Sequence, residues 1–259
     1  MIQIGIAGIP AAKKGKGTDV GIRYLSEIGL DAMEVQFVRG VFMSSDVAKR
    51  VGETAKELGI KLSVHAPYYI NLAGSKETIE KSKKFIINSA LRASEMGGSI
   101  VVFHPASYSE NTFELVKSAC EEIKAKIDKS VHLGLETTGR QSQFGTLDEV
   151  IKITTMVEGT VPVLDFAHIH ARGNGSLKSK SAFGKVFDRF DCDEFHIHFT
   201  GVEYKNGNEK KHMPIDDEPS FVHLAEVLVE RGYDATVICE SPLLEVDALK
   251  MKGIINVKR

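Results

Sequence analysis

Histidines and carboxylates recur in this sequence at the ends of short apolar runs. His65 closes Lys-Leu-Ser-Val-His, His104 follows Ile-Val-Val-Phe, Glu136 closes His-Leu-Gly-Leu-Glu and Asp165 closes Val-Pro-Val-Leu-Asp. His198 closes Glu-Phe-His-Ile-His, and Glu240 follows Thr-Val-Ile-Cys. A lone histidine at such a place is as well explained by a hydrogen bond in the core. A carboxylate that ends an apolar strand is harder to dismiss, because a buried charge must be paired or bound to a cation. Six such residues at one kind of position point to a cluster of metal ligands. Nitrogen and oxygen donors without cysteine suit zinc, with manganese or ferrous iron as alternatives, rather than calcium or a thiolate zinc site. The donors exceed what one ion needs, so two or three divalent ions are expected. Clustered ions of this kind suit phosphodiester hydrolysis, whereas one ion held by two Glu, one Asp and one His suits polarisation of a sugar carbonyl.

Around these six lie weaker candidates. Asp165 and His168 form an Asp-x-x-His pair that could turn both side chains towards one cluster. His196 and His198 are two apart on one strand and share a face. Either could be the ligand; His198, nearer the strand end, is preferred, and His196 would then line the interior. His132 at a strand start and His170 in a following loop are given no role. The glycine-containing stretches Ala11 to Gly17 and Arg172 to Ser176 lack a nucleotide-loop pattern.

What could bring these residues together is read from the rhythm of the chain. Apolar runs rich in β-branched residues alternate with amphipathic stretches rich in Lys and Glu, as repeated βα units do. The expected strands run from Ile2 to Ala7, Ala32 to Phe37, Lys61 to His65, Ser99 to His104, His132 to Glu136, Val161 to Phe166, Glu194 to His198 and Thr236 to Glu240. A helix from Lys76 to Met96 would turn Ile79, Phe85, Ile86, Ala90 and Ala93 inward and its lysines outward. A doubly wound open sheet has the same local signature, but there the strand-end ligands would lie in a row. In a TIM-type (β/α)₈ barrel they converge on one face, where active sites sit. The length of 259 residues matches one such barrel, so the fold class is α/β and residues 1–259 are expected to form a single domain.

Bulk properties narrow the setting. The formal net charge of −2 gives no global attraction for a polyanion, so any contact with nucleic acid must be local. Cys120, Cys192 and Cys239 are odd in number and form no Cys-x-x-Cys pair, which argues for a reducing interior. The start Met-Ile-Gln-Ile-Gly-Ile-Ala-Gly has no signal-peptide pattern, and no long apolar run suggests a membrane span. The expectation is a cytoplasmic monomer.

The ordered motifs Val64-His65-Ala66-Pro67-Tyr68-Tyr69-Ile70-Asn71-Leu72, Phe103-His104-Pro105, Leu135-Glu136-Thr137-Thr138-Gly139, Leu164-Asp165-Phe166-Ala167-His168 and Cys239-Glu240-Ser241-Pro242 span nearly the whole chain. In them the sequence resembles the endonuclease IV branch of the xylose-isomerase-like TIM barrels, the apurinic/apyrimidinic endonucleases of base-excision repair. The resemblance implies one metal on His65, His104 and Glu136, with Glu136 bridging to a second on Asp165, His198 and Glu240. It implies a third on His168 and His212. That branch takes an Asp-x-His pair at the third site, but this chain reads Lys210-Lys211-His212, so weak binding is expected there unless Asp216 or Asp217 folds back. The stretch Phe199 to Glu203 departs as well. By the same resemblance Gln36 and Arg39, in the loop after the second strand, and Tyr68 would touch duplex DNA at an abasic site. The implied activity is metal-dependent cleavage 5′ to that site, with Glu136 and Glu240 positioning the nucleophile. A sugar isomerase or epimerase of the same superfamily, holding one ion on Glu136, Asp165, His198 and Glu240, is the alternative. A non-catalytic binding protein ranks last, since the ligands are intact.

Overall fold

The computed structural model describes residues 1–258. The apolar runs form β1 (Ile2–Ala7), β2 (Ala32–Gln36), β3 (Lys61–His65), β4 (Ile100–Phe103), β5 (Ala106–Ser107), β6 (His132–Glu136), β7 (Gln143–Phe144), β8 (Thr160–Asp165), β9 (Glu194–Phe199), β10 (Gly201–Lys205), β11 (Asn208–Met213) and β12 (Asp234–Cys239). The sheet order β1-β12-β9-β8-β6-β4-β3-β2 closes on itself, with every barrel pairing parallel. Closure comes from β1, which pairs with β2 on one side and β12 on the other. The expected (β/α)₈ barrel is therefore what the chain forms. Two short antiparallel ribbons, β5 with β7 and β10 with β11, lie outside the barrel wall.

The helices α1 (Thr18–Glu27), α2 (Ser45–Leu58), α3 (Lys76–Met96), α4 (Thr112–Lys124), α5 (Leu147–Met156), α6 (Phe166–Arg172), α7 (Lys180–Phe187), α8 (Phe221–Glu230) and α9 (Glu245–Lys258) connect the strands. Their starts are set locally: Ser44, Ser75 and Ser179 accept backbone N–H bonds at the first turns of α2, α3 and α7, and Thr146 with Glu149 forms a capping box on α5. Helix α3 has the expected bounds and buries Ile86, Ala90 and Ala93, while Ile79 and Phe85 are half-buried. Lys83 departs from the expectation that the lysines face away. Its stem is buried, and its ammonium reaches Glu80 at 2.9 Å and Glu122 at 2.8 Å, so aliphatic carbons fill the helix interface while the charge stays paired.

Small shifts at strand ends matter for the site. β4 ends at Phe103 and β12 at Cys239, so His104 and Glu240 are the first residues of the loops rather than the last of the strands. β8 ends at Asp165, because Phe166 already begins α6 and Asp165 caps it. β2 ends at Gln36, which places that residue in the strand rather than in the loop beyond.

Candidate metal centre

The C-terminal strand ends bring the expected ligands together. Among the described residues, four groups of His and acidic side chains have donor atoms within 4.8 Å of one another: His65, His104, Glu136; Glu136, Asp165, His198, Glu240; His168, Glu209, His212; and Glu34, His196, His198. Glu136 belongs to two of them. Its Oε2 lies 3.1 Å from His65 Nε2 and 3.0 Å from His104 Nε2, and its Oε1 lies 3.4 Å from His198 Nδ1. Glu240 Oε1 stands 3.5 Å from the same nitrogen of His198.

Local structure orients each donor. Asp165 Oδ1 accepts the His168 backbone N–H at 2.7 Å as the cap of α6, which leaves Oδ2 buried with no hydrogen-bond partner. His65 Nδ1 lies 2.7 Å from the Ala66 carbonyl oxygen, His168 Nδ1 2.8 Å from that of Thr137 and His212 Nδ1 3.1 Å from that of Glu240. A carbonyl only accepts, so each ring keeps a proton on Nδ1 and turns Nε2 to the cluster, where losing the second proton would free a lone pair for a cation. This is how a ligating imidazole is fixed in metal sites.

The third group corrects the reading of Lys210. The missing carboxylate is supplied by Glu209, whose oxygens lie 3.3 Å from His168 Nε2 and 3.3 Å from His212 Nε2. Asp216 is instead paired with Lys250 at 2.8 Å, and Lys210 is exposed. Residues three apart in a regular strand point to opposite faces. Here the ladder pairs Val202 with His212, Glu203 with Lys211 and Tyr204 with Glu209, so Lys210 is the extra residue of a bulge. The bulge returns Glu209 and His212 to one face. The ribbon turns at Asn206-Gly207, both with positive φ, the backbone that a two-residue hairpin turn favours. It also packs close: a Cβ at Gly139 would sit 2.7 Å from His168 Cδ2 and 2.9 Å from Glu209 Cβ.

Two other residues were not singled out by strand-end position. Glu34, fully buried in mid-β2, contacts Ser63 Oγ at 2.9 Å, His196 Nε2 at 2.9 Å and His198 Nε2 at 3.0 Å. Because β2 and β9 are not neighbours in the sheet, these contacts cross the barrel interior. His196 thus lines the barrel, as expected, but with a partner. The sequence signal was available, since Glu34 interrupts Ala32-Met33-Val35 as an acid in an apolar strand.

Charge binds the centre together. Burial alone would strip protons from His65, His168 and His212. The facing carboxylates outweigh it: Glu136 raises His65 to about 9, Asp165 with Glu136 and Glu209 holds His168 well above the ordinary imidazole value, and Glu209 raises His212 to about 9. Burial opposes ionisation of Glu136, yet His104 and His198 hold it well below the usual carboxylate range. Burial pushes Asp165 up to about 6. The imidazoles thus serve as counter-charges to a crowd of acids, and divalent cations could take over that task. Unpartnered Asp165 Oδ2 and His198 Nδ1 fit such ligation.

Around the mouth, Tyr68 is 61% exposed with its ring 6.1 Å from that of His65, and Arg39 is also exposed. Gln36 is half-buried, and its amide donates to Glu34 Oε1 at 3.3 Å, facing inward. Tyr69, Val38 and Phe42 are exposed apolar residues of the same loops; the Tyr68 N–H donates to the Val38 carbonyl at 3.3 Å.

A closed parallel barrel with clustered His and acidic side chains at its C-terminal strand ends defines a TIM barrel with a candidate metal centre. Residues 22–251 match the profile of the xylose isomerase-like TIM barrel family, and the chain belongs to it. Over 99% of its length it is 35% identical to an uncharacterised protein of Methanocaldococcus jannaschii, covering 97% of that protein. Over 57% of its length it is 37% identical to the probable endonuclease 4 of Ureaplasma parvum, spanning 51% of that relative. The endonuclease IV likeness carried by the motifs is thus found again among its relatives. In fold, the chain resembles endonuclease IV from Thermus thermophilus with a TM-score of 0.81 at 20% identity, covering 99% of this chain and 98% of that one. A D-tagatose 3-epimerase-like protein follows with a TM-score of 0.75 at 22% identity, covering 98% and 96%. No described helix is long and apolar enough to cross a membrane.

Proposed function

We propose that this protein is a metal-dependent phosphodiesterase that cuts duplex DNA on the 5′ side of abasic sites. The observation that carries this reading is the sharing of Glu136 between two ligand groups, with a third group beside them. His65, His104, His168, Glu209 and His212 would be superfluous to an enzyme that holds one ion on Glu136, Asp165, His198 and Glu240. Divalent ions held here, zinc by preference, would stabilise charge on phosphoryl oxygens and lower the pKa of water.

The side chains of the chain do the rest. Glu136 joins the first two groups, and Glu240, at the mouth with its side chain 14% exposed, would orient the attacking water. Exposed Tyr68 and Arg39 would meet the nucleic acid, the ring as an apolar wedge at the lesion and the guanidinium on phosphate. Wedges and a few phosphate contacts can engage an already weakened site without a basic surface, so the net charge of −2 is compatible with this substrate.

The test is nicking of abasic duplex DNA by protein loaded with zinc. Activity that is lost on chelation and in Glu240→Gln, with the fold intact, is expected. The second reading, a sugar isomerase or epimerase, is favoured by the completeness of the Glu136, Asp165, His198, Glu240 set. Uncut abasic DNA together with exchange of a ketose α-proton into solvent would replace the first reading by the second.

A further inference from the structure

We infer that Glu34 is the positioning residue of His198: it fixes the imidazole proton on Nε2, so that Nδ1 is presented to the ion held with Glu136, Asp165 and Glu240. This rests on reading His198 as a metal ligand, as the proposed function does, but not on the substrate.

Three other rings of the centre share one arrangement. His65, His168 and His212 each set Nδ1 on a backbone carbonyl and turn Nε2 to a facing carboxylate, although His168 Nδ1 also lies 3.3 Å from Glu136 Oε1. His198 is reversed. Its Nδ1 faces Glu136 Oε1 at 3.4 Å and Glu240 Oε1 at 3.5 Å, and its Nε2 faces Glu34 Oε1 at 3.0 Å. Neither ring nitrogen has an aligned hydrogen bond, and the ring is fully buried. Among the described residues, the Glu34 carboxylate is therefore the group in contact with Nε2 that can choose the tautomer.

Glu34 is held still from several sides. Ser63 Oγ donates to Oε2 at 2.9 Å, His196 Nε2 lies 2.9 Å from the same oxygen, and the Gln36 amide donates to Oε1 at 3.3 Å. Those partners come from β2, β3 and β9, so the acid is held from three strands of the barrel wall. A carboxylate behind a ligating imidazole orients the ring and raises its basicity, and losing such a partner typically costs about 10–100-fold in metal affinity. A carbonyl can do the first of these, but a full negative charge does more of the second. His198 is the ring whose opposite nitrogen faces both Glu136 and Glu240, so its basicity bears on the second ion.

The test uses the full chain, stripped with chelator and titrated with zinc, and with cobalt for its visible spectrum. Glu34→Gln should weaken the ion at the His198 group by about 10–100-fold, alter the cobalt bands, and leave the remaining ions in place. In the zinc-loaded parent, nitrogen-15 shifts of His198 should show Nδ1 on the ion and an Nε2–H strongly hydrogen-bonded to Glu34, and in the variant an Nε2–H with a weaker hydrogen bond. In a His198→Ala background the same change should cost nothing further. Equal zinc affinity in Glu34→Gln and parent, an equal loss of all ions, or additive effects in the double variant would each overturn the inference. The disappearance of one whole ion while the His198 group keeps its own would also overturn it, since Glu34 would then be a ligand. If Glu34→Gln does not fold, Glu34→Asp keeps the charge but draws it back from His198, and the same outcomes apply. DNA cleavage enters none of these readouts, so failure of the nuclease reading leaves them intact.

Discussion

Glu136 faces more of the centre than any other single acid. One oxygen sits between His65 and His104, and the other lies 3.3 Å from His168 Nδ1 and 3.4 Å from His198 Nδ1. Glu136→Gln keeps the shape but removes a charge shared by the first two groups, so it should release both of their ions. His168→Ala should release at most the ion of the third group. Elemental analysis of the two variants after dialysis at neutral pH checks this, and equal losses would refute a bridging role. Glu136 was legible in the sequence because it ends an apolar strand, where an unpaired charge is costly. Glu34 obeys the same physics in mid-strand, where its position gives no strand-end signal. Gln36 shows the converse: the family resemblance implies a loop position facing DNA, whereas pairing with β3 carries it to the end of β2 and its amide to Glu34.

At the scale of elements, the eight strands and α3 were readable because each has a hydrophobic period that one partner face must satisfy. The β10–β11 ribbon was not. Its residues are mostly polar, its Asn-Gly turn is a weak signal alone, and the bulge at Lys210 depends on pairing between strands rather than on either strand. That bulge decides whether the third group exists, because a regular ladder through all of Glu209 to His212 would direct its two end residues to opposite faces. Deleting Lys210 should therefore be tolerated: the sequence becomes Glu-Lys-His, and a regular strand puts residues two apart on one face. The deletion variant is expected to bind as many ions as the parent and to melt within a few degrees of it. Glu209→Ala, which leaves the ribbon intact, should lose the third ion. A deletion variant that binds no third ion while Glu209→Ala retains it would show that Lys210, not the carboxylate, matters at this site.

For the whole molecule, the buried centre makes stability depend on pH and metal in opposite ways. His65 and His212 titrate near 9 in the folded chain against 6.5 as the ordinary value, so between those limits the folded chain holds protons that the unfolded chain has shed. Stability from these two rings is fully present below about 6.5 and is lost as the pH rises through about 9. Asp165, raised by burial from 3.8 to about 6, contributes a loss of the same sign at lower pH. Glu136 acts oppositely: held low by His104 and His198, it stabilises above its ordinary value of 4.5, and that contribution fades as the pH falls further. Chelated protein should therefore melt lower as the pH is raised from 6.5 to 9.5, by roughly 5–10 °C if a few kcal/mol are lost. Cations reverse the trend. Each must displace the imidazole protons, so affinity grows over the same interval, and binding to the folded chain alone raises its melting temperature. Thermal unfolding of chelated and zinc-saturated protein across this range is expected to give two curves that diverge with pH. Proton release should accompany zinc binding at pH 7, read as a heat of binding that changes with the ionisation enthalpy of the buffer. Parallel curves with no proton release would mean that the imidazoles are already neutral in the metal-free fold, and that the acids they face are held by something other than their charge.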